Sequence, residues 1–293
     1  MTDPRWTDEN GHEIDEDHRG LVYDIQTLVG RRRALGIFGG VALTTLLAAC
    51  GATTSTTDAA TAPTDTASPN ATPTASPTAS AAASAAVDEV PDETGGPYPA
   101  DGSNGVNVLD DSGIVRSDIR SSFGSSTTVA GGVALTIALT VRDATSGEAL
   151  AGRGVYVWHC DRAGDYSLYS SGVENENYLR GVQQTDANGT VTFTSIYPAC
   201  YSGRWPHIHF EVYQDVATAV ATGPIVKTSQ IALPAETNDL VYATAGYEQS
   251  VRNQAQVSLA GDMVFGEDGG IHQIASMAGS VGAGYTASLT IGV

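Results

Sequence analysis

Arg204-Trp205-Pro206-His207-Ile208-His209-Phe210-Glu211-Val212-Tyr213 is the stretch on which the reading of this chain turns. Its apolar and aromatic residues predict a strand from His207 to Tyr213. Alternate side chains of a strand share a face. His207 and His209 therefore point one way, and Ile208, Phe210 and Val212 point the other way, into a core. A strand that lays two imidazoles side by side is a candidate metal-binding strand. A His-x-His pair suits zinc, copper, iron, nickel or manganese and does not choose among them. The plainer alternative is a pair of surface histidines on an edge strand.

Other strands surround this one. Val133, Leu135, Ile137, Leu139 and Val141 alternate with small residues, a period of two over nine positions. Val155 to Cys160 is apolar on both faces and so reads as a buried strand. The turn signal Asp186-Ala187-Asn188-Gly189 leads into the alternating run Thr190 to Ile196, which Pro198 stops. Ile225 to Leu233 and Tyr285 to Val293 are further strands. Pro234 to Tyr242 predicts a short helix with proline near its start, and Tyr247 to Ala260 fits neither period. The spacing of strands and turns predicts an all-β fold, a β-sandwich with long loops and few short helices. Order begins near Val90, and the folded domain spans 89–293.

The chain has 293 residues, a net charge of −19 and only 16% charged residues. That balance argues against nucleic-acid binding, which needs a basic footprint. Residues 1–30 are polar and acidic and read as a disordered cytoplasmic extension. Residues 31–50 begin with Arg31-Arg32-Arg33, continue as an apolar run and end in small residues, the pattern of an export signal. The run is shorter than a spanning helix needs. Its end, Leu47-Ala48-Ala49-Cys50, resembles the lipobox of bacterial lipoproteins, which implies lipidation at Cys50. The arginines, with Leu35 and Gly36, resemble a twin-arginine signal. Residues 51–88 are Ala, Thr, Ser, Pro and Asp, a linker that cannot bury a core. Together these features predict a domain held by a lipid anchor on the outer face of the cytoplasmic membrane.

Of six histidines, His12 and His18 precede Cys50, which leaves His159, His207, His209 and His272. His159 reads as a satisfied core histidine and His272 as a loop residue. Glu211 shares the face of His207 and His209 and permits a two-histidine, one-carboxylate site, although the glycine-rich flanks of the cupin motif are missing. Two tyrosines are more specific. Tyr166 follows the Trp158 strand in Trp158-His159-Cys160-Asp161-Arg162-Ala163-Gly164-Asp165-Tyr166. Tyr201 ends Tyr197-Pro198-Ala199-Cys200-Tyr201. With Arg204-x-x-His207-x-His209, and with Gly96-Pro97-Tyr98 near the domain start, the chain resembles the intradiol ring-cleavage dioxygenases over about Gly95 to Gln230. Trp205-Pro206 departs from the family's usual proline followed by a small residue.

The resemblance implies that Tyr166, Tyr201, His207 and His209 hold Fe(III). Phenolate is a hard anionic donor. A tyrosine, with an ordinary pKa of about 10, ionises beside a bound cation, and two tyrosinates favour the ferric state. The implied substrates are a catechol-type diol and O2, with the ring opened between the two hydroxyl-bearing carbons. Tyr201 then leaves the metal and helps take up a proton. Arg204 stabilises negative charge on the substrate, and Gln230 is a further catalytic candidate. Tyr98, Tyr169 and Trp205 are candidates for the pocket wall. The resemblance also allows an oligomer, although a tether stands where the catechol enzymes carry a helical dimerisation segment. The competing reading is a non-catalytic surface lipoprotein whose sandwich only binds a ligand. With Cys50 set aside, Cys160 and Cys200 flank the site in an exported, oxidising setting, which predicts a disulfide; two buried thiols are the alternative.

Overall fold

A computed structural model describes residues 85–293. The extension, the export signal, Cys50 and nearly all of the linker lie outside the described residues. Among the described residues no helix is long and apolar enough to cross a membrane.

Two four-stranded sheets make the fold. The first has the order β4-β1-β8-β7, with β1 Ala134–Arg142, β4 Thr190–Ile196, β7 Ser276–Ser280 and β8 Gly284–Gly292. Its pairings are antiparallel except the parallel β1–β8 pair. The second has the order β3-β2-β5-β6, all antiparallel, with β2 Gly154–Trp158, β3 Arg180–Gln184, β5 His207–Tyr213 and β6 Ile225–Ala232. Among the described residues three short α-helices interrupt the strands, α1 Val216–Val220 between β5 and β6, and α2 Ala235–Tyr242 and α3 Glu248–Gln254 between β6 and β7. The all-β sandwich with short helices is the architecture that the alternation predicts.

β1 buries every second residue. Its Leu135, Ile137, Leu139 and Val141 meet Val155, Val157, Ile208, Phe210 and Val212 of the second sheet in the main core. β2 and β5, by contrast, are buried at every position. Their other face carries Tyr156, Trp158, His207, His209 and Glu211. A second cluster covers that face, in which Tyr98, Ala100, Val108, Leu109 and Ile114 pack on Tyr156, Trp158 and Tyr166. The cover comes from the segment ahead of β1, tied to the edge of β3 by a Val115–Val182 bridge. The chain joins the sandwich early, because Val87 N–H donates to Ala144 O at 3.1 Å and Val90 N–H to Gly292 O at 3.2 Å.

Polar residues hide the strands that the alternation did not predict. β3 reads Arg-Gly-Val-Gln-Gln, and β7 reads Ser-Met-Ala-Gly-Ser along an exposed edge. α1 is a single turn capped by Asp215, whose carboxylate accepts from Thr218 N–H at 2.7 Å.

Phe210 is fully buried where the two sheets meet. Phe210→Ala is expected to cost about 3–5 kcal/mol in denaturant unfolding. Val129→Ala, at a 62% exposed position, should stay within about 0.5 kcal/mol. Equal effects at the two positions would contradict this core.

Candidate metal centre

Strand register assembles the site. Trp158 of β2 lies opposite His209 of β5, and His209 lies opposite Gln230 of β6. Directly opposed residues share a face of the sheet, so this row places an indole, an imidazole and an amide side by side. Trp158 stacks on His209 with ring centroids 4.9 Å apart and planes 5° apart. Gly96, at φ +71°, closes on the same ring, since a Cβ there would lie 3.2 Å from His209 Cε1. A larger residue at 96 would meet both a disfavoured φ and the imidazole.

Two loops bring the tyrosines. The β2–β3 loop carries Tyr166, and the segment that crosses from β4 in one sheet to β5 in the other carries Tyr201 and Arg204. The Tyr166 and Tyr201 rings are 5.9 Å apart, Tyr201 and His207 5.5 Å, His207 and His209 4.7 Å, and Tyr166 and His209 6.2 Å. The four ligand residues implied by the sequence resemblance thus converge on one point. His207 Nε2 lies 3.1 Å from His209 Nε2 and 3.3 Å from Tyr201 Oη. Gly164, at φ +103°, lets the two loops touch, because a Cβ there would lie 3.2 Å from that of Tyr201.

The donor chemistry fits a cation. His207 Nδ1–H donates to Trp205 O at 2.5 Å, which leaves the Nε2 lone pair facing the centre. Burial, reinforced by Arg204, lowers the His207 pKa to about 3. Burial and the charge His207 would carry hold His209 well below the usual range. Both imidazoles are therefore neutral donors. Burial and the neighbouring Tyr201 phenol push Tyr166 well above the usual phenol range. Its Oη makes no hydrogen bond of good geometry, and a buried polar group left so costs about 1–3 kcal/mol. Two nitrogens on adjacent corners of one coordination shell, each about 2.1 Å from the ion, stand about 3 Å apart, close to the separation observed.

Arg204 is fully buried beside these rings. Its Nε donates to Asp262 Oδ2 at 3.0 Å, and its Nη2 donates to Gln230 Oε1 at 2.7 Å and to Asp262 Oδ1 at 3.3 Å. Gln230 Nε2 donates in turn to Thr94 O at 2.9 Å. Gln230, predicted among the catalytic residues, thus holds Arg204 in place. Asp262 escaped the sequence reading because it lies in the stretch between Tyr242 and Tyr285, which has no clear period.

Arg180 also escaped it. It is buried without a carboxylate partner among its hydrogen bonds. Its Nη1 donates to Tyr98 O at 2.9 Å, Pro99 O at 3.2 Å and Tyr156 Oη at 3.1 Å, while Nε and Nη2 grip Ser167 Oγ and Ser167 O at 3.1 and 2.9 Å. Ser167 follows Tyr166, so this guanidinium bolts the Tyr166 loop to the covering segment. The loop is strained, with Leu168 at φ 73° and Leu179 at φ 58°, a cost of about 1–3 kcal/mol each.

The remaining candidates lie elsewhere. Glu211 accepts from Tyr213 Oη at 2.7 Å, and among the described residues no three His, Cys, Asp or Glu side chains gather around a common point; the two-histidine, one-carboxylate arrangement is absent there. His159 is a satisfied core residue, with Nε2 2.6 Å from Ser195 Oγ and Nδ1 2.7 Å from Cys160 O. His272 is half exposed near Asp88. Tyr98 packs on Tyr166 at 4.9 Å and on Tyr169 at 5.1 Å. Trp205 turns into another cluster with Val264 and Phe265, its Nε1–H donating to Leu233 O at 2.8 Å.

The predicted Cys160–Cys200 disulfide is not formed; both are buried free thiols. Cys160 Sγ–H donates to Ala199 O at 3.7 Å and Cys200 Sγ–H to Arg204 O at 3.5 Å. They belong to different clusters, Cys200 between the sheets and Cys160 under the covering segment. Redox setting suggested the pair, but packing decides against it.

Residues 118–224 match the dioxygenase family model Dioxygenase_C. The matched span holds Tyr166, Tyr201, Arg204, His207 and His209 and stops short of Gln230 and Asp262. Its structural relatives include an intradiol ring-cleavage dioxygenase from Tetranychus urticae, with 25% identity, 62% of this chain and 87% of that chain covered, and a TM-score of 0.52. Another dioxygenase shows 24% identity, coverage of 70% and 94%, and a TM-score of 0.56. The dioxygenase domain of a carbohydrate-binding fusion protein from Streptomyces sp. SirexAA-E shows 23% identity, coverage of 70% and 98%, and a TM-score of 0.45. A comparison with curated proteins finds no match. The matched span and the shared fold are points of similarity to intradiol ring-cleavage dioxygenases.

Two outcomes test this centre. His207 and His159, which burial lowers to about 4, titrate near about 6.5 once unfolded. Below that pH the unfolded chain binds more protons than the native one, so stability falls as pH falls. Unfolding free energy of the metal-free protein should drop between pH 6.5 and 5, by up to about 1.4 kcal/mol per pH unit for each histidine. A flat profile there would show that these imidazoles are not buried neutral. Separately, mass mapping after unfolding without reductant should recover both Cys160 and Cys200 alkylated.

Proposed function

We propose that the protein is a non-haem Fe(III) intradiol dioxygenase that opens the ring of a catechol-type diol with O2. The bond between the two hydroxyl-bearing carbons breaks, and both oxygen atoms enter a muconate-type dicarboxylic product. No external reductant is consumed. The observation that carries this reading is the convergence of Tyr166, Tyr201, His207 and His209 on one point, within a domain matched to the dioxygenase family.

Bound Fe(III) would supply a Lewis acid that chelates the diol oxygens and activates the ring towards O2. The chain's own residues do the rest. His207 and His209 stay neutral because burial opposes their protonation. Tyr166 is the enclosed phenol, and Tyr201 is the one of the four rings with solvent exposure. That exposure supports diol entry on the Tyr201 side, where the Tyr201 phenolate Oη takes up a proton released by a diol hydroxyl. Arg204 offers cationic N–H groups to negative charge that develops on the substrate oxygens, an oxyanion-type role. The covering segment keeps water off the far side of the rings.

The reading extends to the N-terminal part of the chain. Arg31 to Arg33, the apolar run and Cys50 support export and a lipid anchor, with the linker holding the domain off the outer membrane face. Partners are then the diol and O2, and the diols are those met outside the cytoplasm.

Purified protein loaded with iron should be reddish from ferric tyrosinate absorption, and Tyr201→Phe should lose much of that colour. Oxygen uptake across a panel of catechols should reveal turnover that Tyr201→Phe or His207→Ala reduces by at least about 100-fold, the scale of losing a principal catalytic group. Protein that binds no iron and consumes no oxygen with any diol would refute the proposal.

A further inference from the structure

Asp262 accepts five hydrogen bonds from inside the protein. Two come from Arg204, and the others from the backbone N–H groups of Trp205 at 2.7 Å, Val264 at 2.9 Å and Phe265 at 3.2 Å. The pair is dry, since the Arg204 and Asp262 side chains are 2% and 0% exposed. Burial alone would raise the Asp262 pKa, but Arg204 and the hydrogen bonds outweigh burial and hold it below the usual carboxylate range. Asp262 is therefore an anion facing the guanidinium. It lies 58 residues beyond Arg204, outside the span matched to the dioxygenase family.

The geometry points to Asp262 as a positioning residue for Arg204, which it aims at the diol through the Nε–Nη2 edge. This inference rests on the proposed diol chemistry. A single hydrogen bond leaves a guanidinium free to rotate, whereas a two-point contact fixes its plane. Gln230 supports Nη2 from the other side, so carboxylate and amide together leave one orientation. Asp262 also binds Trp205 N–H, which couples the plane of Arg204 to the start of β5, where His207 sits. A bare guanidinium beside the metal centre would repel the cation that the centre must hold. Breaking a buried pair by removing one partner leaves the other charge uncompensated.

Asp262→Asn keeps the side-chain volume and one acceptor oxygen, but it turns an amide N–H₂ towards Arg204 or Trp205. In the full-length iron-loaded protein, D262N should keep the iron content and visible band and hold diol affinity, read by titrating that band, within about threefold. Its kcat should fall about 10- to 100-fold, part of the loss seen when an oxyanion donor is removed outright. In an R204Q background, D262N should lower kcat no further, because residues acting as one unit are not additive. A merely structural Asp262 would lower the unfolding temperature and iron content, leave kcat per iron unchanged, and act equally in both backgrounds.

A second measurement needs no folded D262N. In wild-type protein loaded with Ga(III) as a diamagnetic ion, one arginine Nε–H resonance, identified by its loss in R204K, should exchange slowly with solvent. Fast exchange of that proton overturns the positioning role, as does unchanged kcat in D262N or an equal further loss in R204Q. Wild-type protein that opens no diol at all sinks the functional reading instead, and this inference with it.

Discussion

Everything around the site follows from one constraint: β5 is buried on both faces. One face meets the first sheet through Ile208, Phe210 and Val212, as an inner sandwich strand must. The other presents His207, His209 and Glu211 to a covering layer instead of to water. Unpaired polar groups in such a place cost several kcal/mol in aggregate, so each demands a partner. Glu211 takes the Tyr213 hydroxyl, His207 takes the Trp205 carbonyl, and His209 takes the face of Trp158. What stays unsatisfied is confined to few atoms, Tyr166 Oη and His209 Nδ1 among them. A buried centre with two neutral imidazoles and an orphaned phenol is set up for a cation.

Two buried cations brace the surroundings of the site. Arg180 and Arg204 are both fully buried yet are compensated in different ways. Arg180 is surrounded by carbonyl and hydroxyl oxygens of two chain segments, and this welds the Tyr166 loop to the residues around Tyr98. Arg204 is balanced by a carboxylate and an amide, which fixes its plane beside the metal centre. The first guanidinium is therefore structural, its hydrogen bonds spent on carbonyls and hydroxyls of the scaffold, whereas the second is tied to a carboxylate and an amide from two other elements. The strained backbone at Leu168 and Leu179 is tolerated because Arg180 over-determines that loop.

Much of this was legible in the residues. Alternation located β1, β4 and β8, and the all-apolar run Val155 to Trp158 announced a strand buried on both faces. The four rings that converge were legible through a family resemblance, because each sits in a short motif. β3 and β7 were not, since Arg-Gly-Val-Gln-Gln and Ser-Met-Ala-Gly-Ser carry no apolar alternation, and pairing partners alone make them strands. Gln230 stands 21 positions beyond His209 in the sequence, yet register places the two directly opposite across β5 and β6, with α1 in the connection between them. Asp262 and Arg180 had no local signal, because their roles depend on residues 58 and 82 positions away. The expected disulfide failed for a related reason, as a compartment says that a bond can persist and only packing says whether two sulfurs meet.

The four rings are held with unequal firmness, and the inequality matches the chemistry required of them. His207 and His209 sit on a central strand paired on both sides, and they cannot move without breaking the sheet. Tyr166 sits in a loop, but Arg180 and the Ser170 hydroxyl, which accepts from Tyr166 N–H at 2.9 Å, make that loop nearly as fixed. Tyr201 alone lies on the segment that crosses between sheets, partly exposed and followed by Gly203 at φ 84°. Three enclosed donors can keep a cation in place while the fourth changes partner, and the fourth is the one that faces solvent. A site meant only to store a metal would gain by enclosing all four, and this one encloses three and leaves Tyr201 partly exposed.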